Sequence, residues 1–214
     1  MGLLRKEDRK YLQEEFKKKL KRKVELLYFT NRNDDSEYSS QTRELFEELV
    51  GLNDNLTLTI KDCSDKKEFE EEGLSFCPAI KIKSDRKGFI NFYGTPAGYE
   101  FSTFIEDIID KGSDNLPLSY DVARELKKID EPVDLKVFIT LNCPYCPRAV
   151  RIAHLFSLVN ENIKSSMIDV NIFPKLSRDL QISSVPLTIV NGTVNFLGAL
   201  PEKKFLAKLE EAIK

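Results

Sequence analysis

The run Asn142-Cys143-Pro144-Tyr145-Cys146-Pro147 sets two thiols two residues apart, close enough to close into a disulfide and reopen. It follows a hydrophobic strand, Leu135 to Thr140, and precedes a helix-like segment, Arg148 to Val159. A strand-to-helix junction is suited to thiol chemistry. The first turn of a helix presents unpaired N–H groups and partial positive charge, which favour the thiolate that attacks disulfides. Cys143, Tyr145 and Cys146 are therefore the first candidates for chemistry. Cys143 is expected at the helix N-cap, with Pro144 as first helical residue and Pro147 still in the first turn.

These residues must be carried by a fold that 214 residues can build as one large domain or two small ones. With 41% hydrophobic and 32% charged residues, the composition is that of a globular protein with a real core. A net charge of −2 gives no footprint for nucleic acid or a membrane surface. No apolar run approaches a membrane span, and the first 25 residues are too rich in Lys, Arg and Glu for a signal peptide. We expect a cytoplasmic protein, where a close cysteine pair is catalytic or metal-binding rather than a staple.

The chain repeats itself. Its second half reads strand Leu135–Thr140, cysteine pair, helix, strand Ser165–Val170, then Ser183-Ser184-Val185-Pro186, strand Leu187–Val190, an Asn191-Gly192 turn, a strand ending at Phe196-Leu197-Gly198, and an amphipathic helix from Pro201. The first half follows suit: strand Val24–Thr30, helix Thr42–Leu52, strand Leu56–Asp62, Ser75-Phe76-Cys77-Pro78, strand Ala79–Lys83, strand Phe89–Gly94 and a helix from Pro96 to Asp110. Phe92, Gly94, Phe101, Ile105 and Ile109 recur 104 residues later as Phe196, Gly198, Phe205, Leu209 and Ile213. Helices over 4–20 and 120–129 open the two halves, and the polar stretch 111–118 links them.

A strand–Cys-x-x-Cys–helix followed by an apolar residue and Pro before a later strand resembles the thioredoxin fold. Two such units in one chain resemble the protein disulfide oxidoreductases of archaea and other thermophiles, which are glutaredoxin-like tandem thioredoxin-fold proteins. The likeness is strongest at 143–154 and at Pro96-Ala97-Gly98-Tyr99-Glu100-Phe101. It implies an α/β fold of two tandem thioredoxin-fold units, 1–112 and 113–214, each with a central mixed β-sheet flanked by helices. In the first unit the cysteine pair is replaced by Ser36-Glu37-Tyr38-Ser39, which cannot form a disulfide.

The resemblance makes Cys143 the exposed nucleophile and Cys146 the buried resolving thiol. It also makes Val185-Pro186 a cis-proline facing them, with the backbone at Ser184 and Val185 free to pair with a substrate strand beside Tyr145. The Pro-Tyr dipeptide is glutaredoxin-like, yet Leu197-Gly198-Ala199 stands where a glutathione-binding Gly-Gly would be. Val137 occupies the place of the buried Asp of thioredoxins, six residues before the first cysteine. Pairs of the glutaredoxin kind sit at about −200 to −230 mV, which permits transfer in either direction.

The expected function is a protein thiol–disulfide oxidoreductase using the Cys143–Cys146 redox disulfide and no other cofactor, with protein disulfides or dithiols as partners. An alternative is relay of electrons from a thioredoxin-reductase-like flavoenzyme to a peroxiredoxin. A third is a peptide-binding or chaperone module independent of redox chemistry. Cys77, beside Pro78, is read as an apolar filler near Ser36. A Cys63–Cys77 bond is not expected, because a central strand should separate the strands that they border. The four cysteines lack the second close pair of a zinc site, so no metal is expected. His154 is read as structural, and the acidic run Glu68–Glu72 as a solvated helix face.

Overall fold

A computed structural model of the chain describes residues 2–31, 34 and 36–214. It divides into two compact units, Met1–Arg86 with Ile108–Asn115 and Lys87–Asp107 with Leu116–Lys214.

The first unit carries α1 (Lys6–Lys19), β1 (Val24–Thr30), α2 (Glu37–Val50), β2 (Leu56–Asp62), α3 (Lys66–Glu71) and β3 (Ala79–Lys83). β1 lies between β2, which runs parallel to it, and β3, which runs antiparallel. Such a central strand is covered on both faces, which is why it reads as an apolar run in which only Glu25 escapes full burial. α1 places Glu7 and Asp8 in its first turn and Lys17, Lys18 and Lys19 in its last, matching the helix dipole, and buries Leu12 and Phe16 one turn apart. α2 starts five residues before the expected Thr42. Its first turn is polar and carries no periodicity; the start is set instead by Ser36, whose hydroxyl accepts the Ser39 N–H at 3.2 Å.

The second unit carries β4 (Phe89–Tyr93), the first turns of α4 (Glu100–Gly112), α5 (Tyr120–Leu126), β5 (Val133–Ile139), α6 (Cys146–Val159), β6 (Ile163–Asp169), α7 (Pro174–Asp179), β7 (Leu187–Val190), β8 (Val194–Leu197) and α8 (Glu202–Ala212). Its strands lie in the order β4-β6-β5-β7-β8. The first three are parallel, and β7 is antiparallel to both its neighbours. By packing, β4 goes with this unit because it pairs with β6 from Phe89↔Lys164 to Tyr93↔Ile168. The expected α/β class, a mixed sheet with helices in each unit, is what forms.

Aromatic side chains fill the second core edge to face: Phe156 and Phe196 meet Phe205 at 5.3 and 5.0 Å, and Phe92 meets Phe104 at 5.2 Å. The repeated glycines have a backbone reason. Gly94 and Gly198 sit at φ of 107° and 88°, where a β-carbon is strained. On α4 the buried face centres on Phe104 and Ile108 rather than on Phe101 and Ile109.

Three expectations are corrected. Cys63 and Cys77 form a disulfide, with Cα atoms 6.3 Å apart. Strands on either side of a third lie about 9.5 Å apart, but both cysteines stand beyond the ends of β2 and β3. There the chain bends over the end of β1, and the Cys63 N–H donates to the Thr30 carbonyl at 3.1 Å. Cys77 is therefore no apolar filler; it is bonded and exposed. The acidic run also departs from a solvated face at Glu72, whose carboxylate accepts from Lys81 Nζ at 2.9 Å and Lys83 Nζ at 2.6 Å.

Candidate active site

β5 delivers the chain to a tight turn: the Cys143 N–H bonds the Thr140 carbonyl at 3.1 Å, and the Cys146 N–H bonds the Cys143 carbonyl at 3.4 Å. Tyr145, at φ −96° and ψ −18°, is the N-cap, and α6 opens at Cys146 with Pro147 in its first turn. Cys143 thus stands one turn outside the helix instead of at its cap. The two prolines shape that turn, since neither donates an N–H where none is needed.

The two thiols have unlike surroundings. Cys143 is half-buried, and its thiol points to the Val185 carbonyl oxygen at 3.9 Å. Cys146 is fully buried on the inner face of α6. Burial pushes the Cys146 thiol far above its ordinary range, and its contact with the Cys143 sulfur adds to the shift. Both thiols are free in this structure. Val185–Pro186 is a cis peptide, as is Cys77–Pro78 at the matching place in the first unit. Pro186 is buried, Ser184 is exposed, and Tyr145 projects into solvent at 70% exposure.

Sequence reasoning missed Glu100. This first residue of α4 is fully buried, and neither carboxyl oxygen reaches hydrogen-bonding geometry among the described residues. The nearby Thr103 hydroxyl offsets only part of the burial; its pKa is pushed up to about 8, with repulsion from Asp107 and Asp169 adding to desolvation. Glu100 is close enough to Cys146 to raise the pKa of that thiol as well. An acid in the first turn of a helix reads as an ordinary dipole partner, so no local signal marked it. The likeness at Pro96–Phe101 was the one pointer.

The loop before α4 is pinned to the cysteine turn. The Tyr99 N–H donates to the Leu141 carbonyl at 3.2 Å, and Gly98 at φ +57° passes so close that a β-carbon would lie 2.7 Å from that oxygen. Farther along, His154 Nδ1 meets Asp107 Oδ2 at 2.5 Å, both residues fully buried, and Arg151 bridges Asp107 at 2.9 Å and Glu106 at 2.6 Å. This fastens α6 to α4, a structural role for the histidine.

In the first unit the serines serve structure. Ser36 caps α2, and the buried Ser39 hydroxyl lies 3.2 Å from that of Thr30. Among the described residues no helix is long and apolar enough to cross a membrane.

This arrangement defines a thioredoxin-fold domain, and residues 133–211 match the thioredoxin domain family model. Over 83% of its length the chain is 29% identical to the alkyl hydroperoxide reductase AhpF of Pseudomonas aeruginosa, and over 74% it is 29% identical to that of Staphylococcus aureus. It spans about a third of the length of these curated relatives (32% and 31%). Among solved structures, a protein disulfide oxidoreductase from Aeropyrum pernix superposes with a TM-score of 0.85 at 25% identity, covering 98% of this chain and 94% of that one. The NTD_N/C domain of alkyl hydroperoxide reductase AhpF from Enterococcus faecalis superposes at 0.87 and 23% identity, over 96% and 99%, and so shares the fold.

Proposed function

We propose that the chain is a thiol–disulfide oxidoreductase working through Cys143 and Cys146. The observation that carries this is the pairing of a reachable thiol, resting against the Val185 carbonyl, with a buried thiol behind it. Cys143 thiolate attacks a protein disulfide, forming one S–S bond and releasing the first substrate thiolate. Cys146 then loses its proton to the Glu100 carboxylate and attacks Cys143. The second substrate thiolate leaves, and the Cys143–Cys146 disulfide holds the two-electron oxidation. Run backwards, the same steps oxidise a dithiol. Burial raises the Glu100 pKa to about 8, close enough to neutrality for the carboxyl to give up and regain a proton. In this reading Tyr145 and the backbone at Ser184 and Val185 meet the substrate strand.

The test is trapping. Cys146→Ser should accumulate mixed disulfides at Cys143, and Cys143→Ser in a chain that also carries Cys63→Ser and Cys77→Ser should reduce no disulfide; turnover by that triple variant would reject the assignment.

The sequence likeness to alkyl hydroperoxide reductase AhpF over 83% of the chain favours a narrower role, passage of electrons from a thioredoxin-reductase-like flavoenzyme to a peroxiredoxin in the cytoplasm. NADPH-driven peroxide turnover through Cys143, much faster than reduction of general protein disulfides, would support it. Equal or slower turnover would return the chain to the broader role.

A further inference from the structure

We infer that Cys63–Cys77 is a second redox centre, a disulfide opened in the folded protein by attack of a protein dithiol on the Cys77 sulfur. Three observations carry this. First, Cys63 is tied to the C-terminal residue of β1, Thr30, which also contacts Ser39, one of the serines that replace the unit's cysteine pair. Second, the two residues are unequally exposed: Cys77 is exposed and Cys63 half-buried, which makes Cys77 the side open to an incoming thiolate and Cys63 the leaving group. Third, Cys77 stands two residues before the start of β3 as Val185 stands two before β7. In the second unit that position lies against the reactive thiol, at 3.9 Å. In the first unit the same position is itself a sulfur. A chain that docks there brings its cysteine to Cys77.

The chemistry balances with a vicinal protein dithiol as reductant. One donor thiolate forms a bond to Cys77 as the Cys63–Cys77 bond breaks and Cys63 leaves as thiolate, taking up a proton. The second donor thiol gives up its proton and attacks the first donor sulfur, releasing Cys77 as thiolate, which takes up a proton in turn. The donor ends as a disulfide, and the pair holds two electrons and two protons. The inference is independent of the role proposed for Cys143.

The alternative is a staple closing a loop of 14 residues, which constrains the unfolded chain and is never opened in the native state. In the double variant Cys143→Ser/Cys146→Ser, Cys63 and Cys77 are the only two of the four cysteines left. Micromolar reduced thioredoxin should open the bond at least tenfold faster than an equal concentration of glutathione, with the circular dichroism spectrum unchanged, and glutathione disulfide should close it again. Should that variant not fold, the same kinetics are read on the unaltered chain from alkylated peptides containing Cys63 and Cys77. A thioredoxin lacking its resolving cysteine should be captured by attack on the intact Cys63–Cys77 bond of the double variant, with at least tenfold more adduct on Cys77 than on Cys63. Reduction only after guanidinium unfolding, or adducts divided equally between Cys63 and Cys77, would overturn the inference.

Discussion

The Cys143 sulfur lies 3.9 Å from the carbonyl oxygen of Val185, a residue 42 positions later that precedes the strand β7. One thiol is thereby held at the surface while its partner three residues on is wholly enclosed. In the native protein iodoacetamide should modify Cys143 at least about 100-fold faster than Cys146, because burial both blocks access and disfavours the thiolate. Peptide mass spectrometry after timed alkylation reads the ratio; comparable rates would mean that the two thiols do not differ as proposed.

Glu100 makes stability fall with rising pH. Its carboxyl, ordinarily near 4.5, titrates at about 8 in the folded chain. Between these values the native state keeps a proton that the unfolded chain has released, so native stability is lost as pH climbs from about 4.5 to about 8. Glu100→Gln should match the parent in urea melts at pH 4 and exceed it by roughly 2–5 kcal/mol at pH 9.

The same substitution should harm chemistry while it helps stability. Resolution by Cys146 should accelerate as pH rises toward 8 in the parent, following ionisation of Glu100. In Glu100→Gln that step should be slower by about 10²-fold near neutral pH and should lose the rise. Stopped-flow decay of a preformed mixed disulfide on Cys143 follows the step directly.

Gly98→Ala should disturb the cysteine turn from outside it. The residue's φ of +57° and the 2.7 Å approach to the Leu141 oxygen leave no room for a methyl group. A loss of about 1–3 kcal/mol is expected in thermal denaturation, together with slower disulfide reduction. Gly192→Ala, where φ is also positive but the surroundings are open, should lose less stability and leave turnover alone.

Asp107→Asn removes the charge that His154 and Arg151 share inside the second unit. A cost of about 3–5 kcal/mol is expected, against less than about 1 kcal/mol for breaking the exposed pair Lys208–Glu211 by Glu211→Ala. Denaturant midpoints measured side by side decide between them.

The amino-acid order alone determined what is local. The cysteine spacing, the strands Val24–Thr30, Leu56–Asp62, Ala79–Lys83 and Leu187–Val190 and the internal repeat were all legible, because covered strands need apolar runs, half-covered ones alternate, and tight turns need Gly or Pro. The short helix α7 escaped notice because none of its residues is buried. Only the tertiary structure joined Cys63 to Cys77, since the loops beyond two strands can meet where the strands cannot. Only it carried Glu100 to Cys146, from a helix 46 residues upstream. A carboxyl at a helix start looks alike in sequence whether water or protein surrounds it, and its proton affinity is set by which of the two it meets.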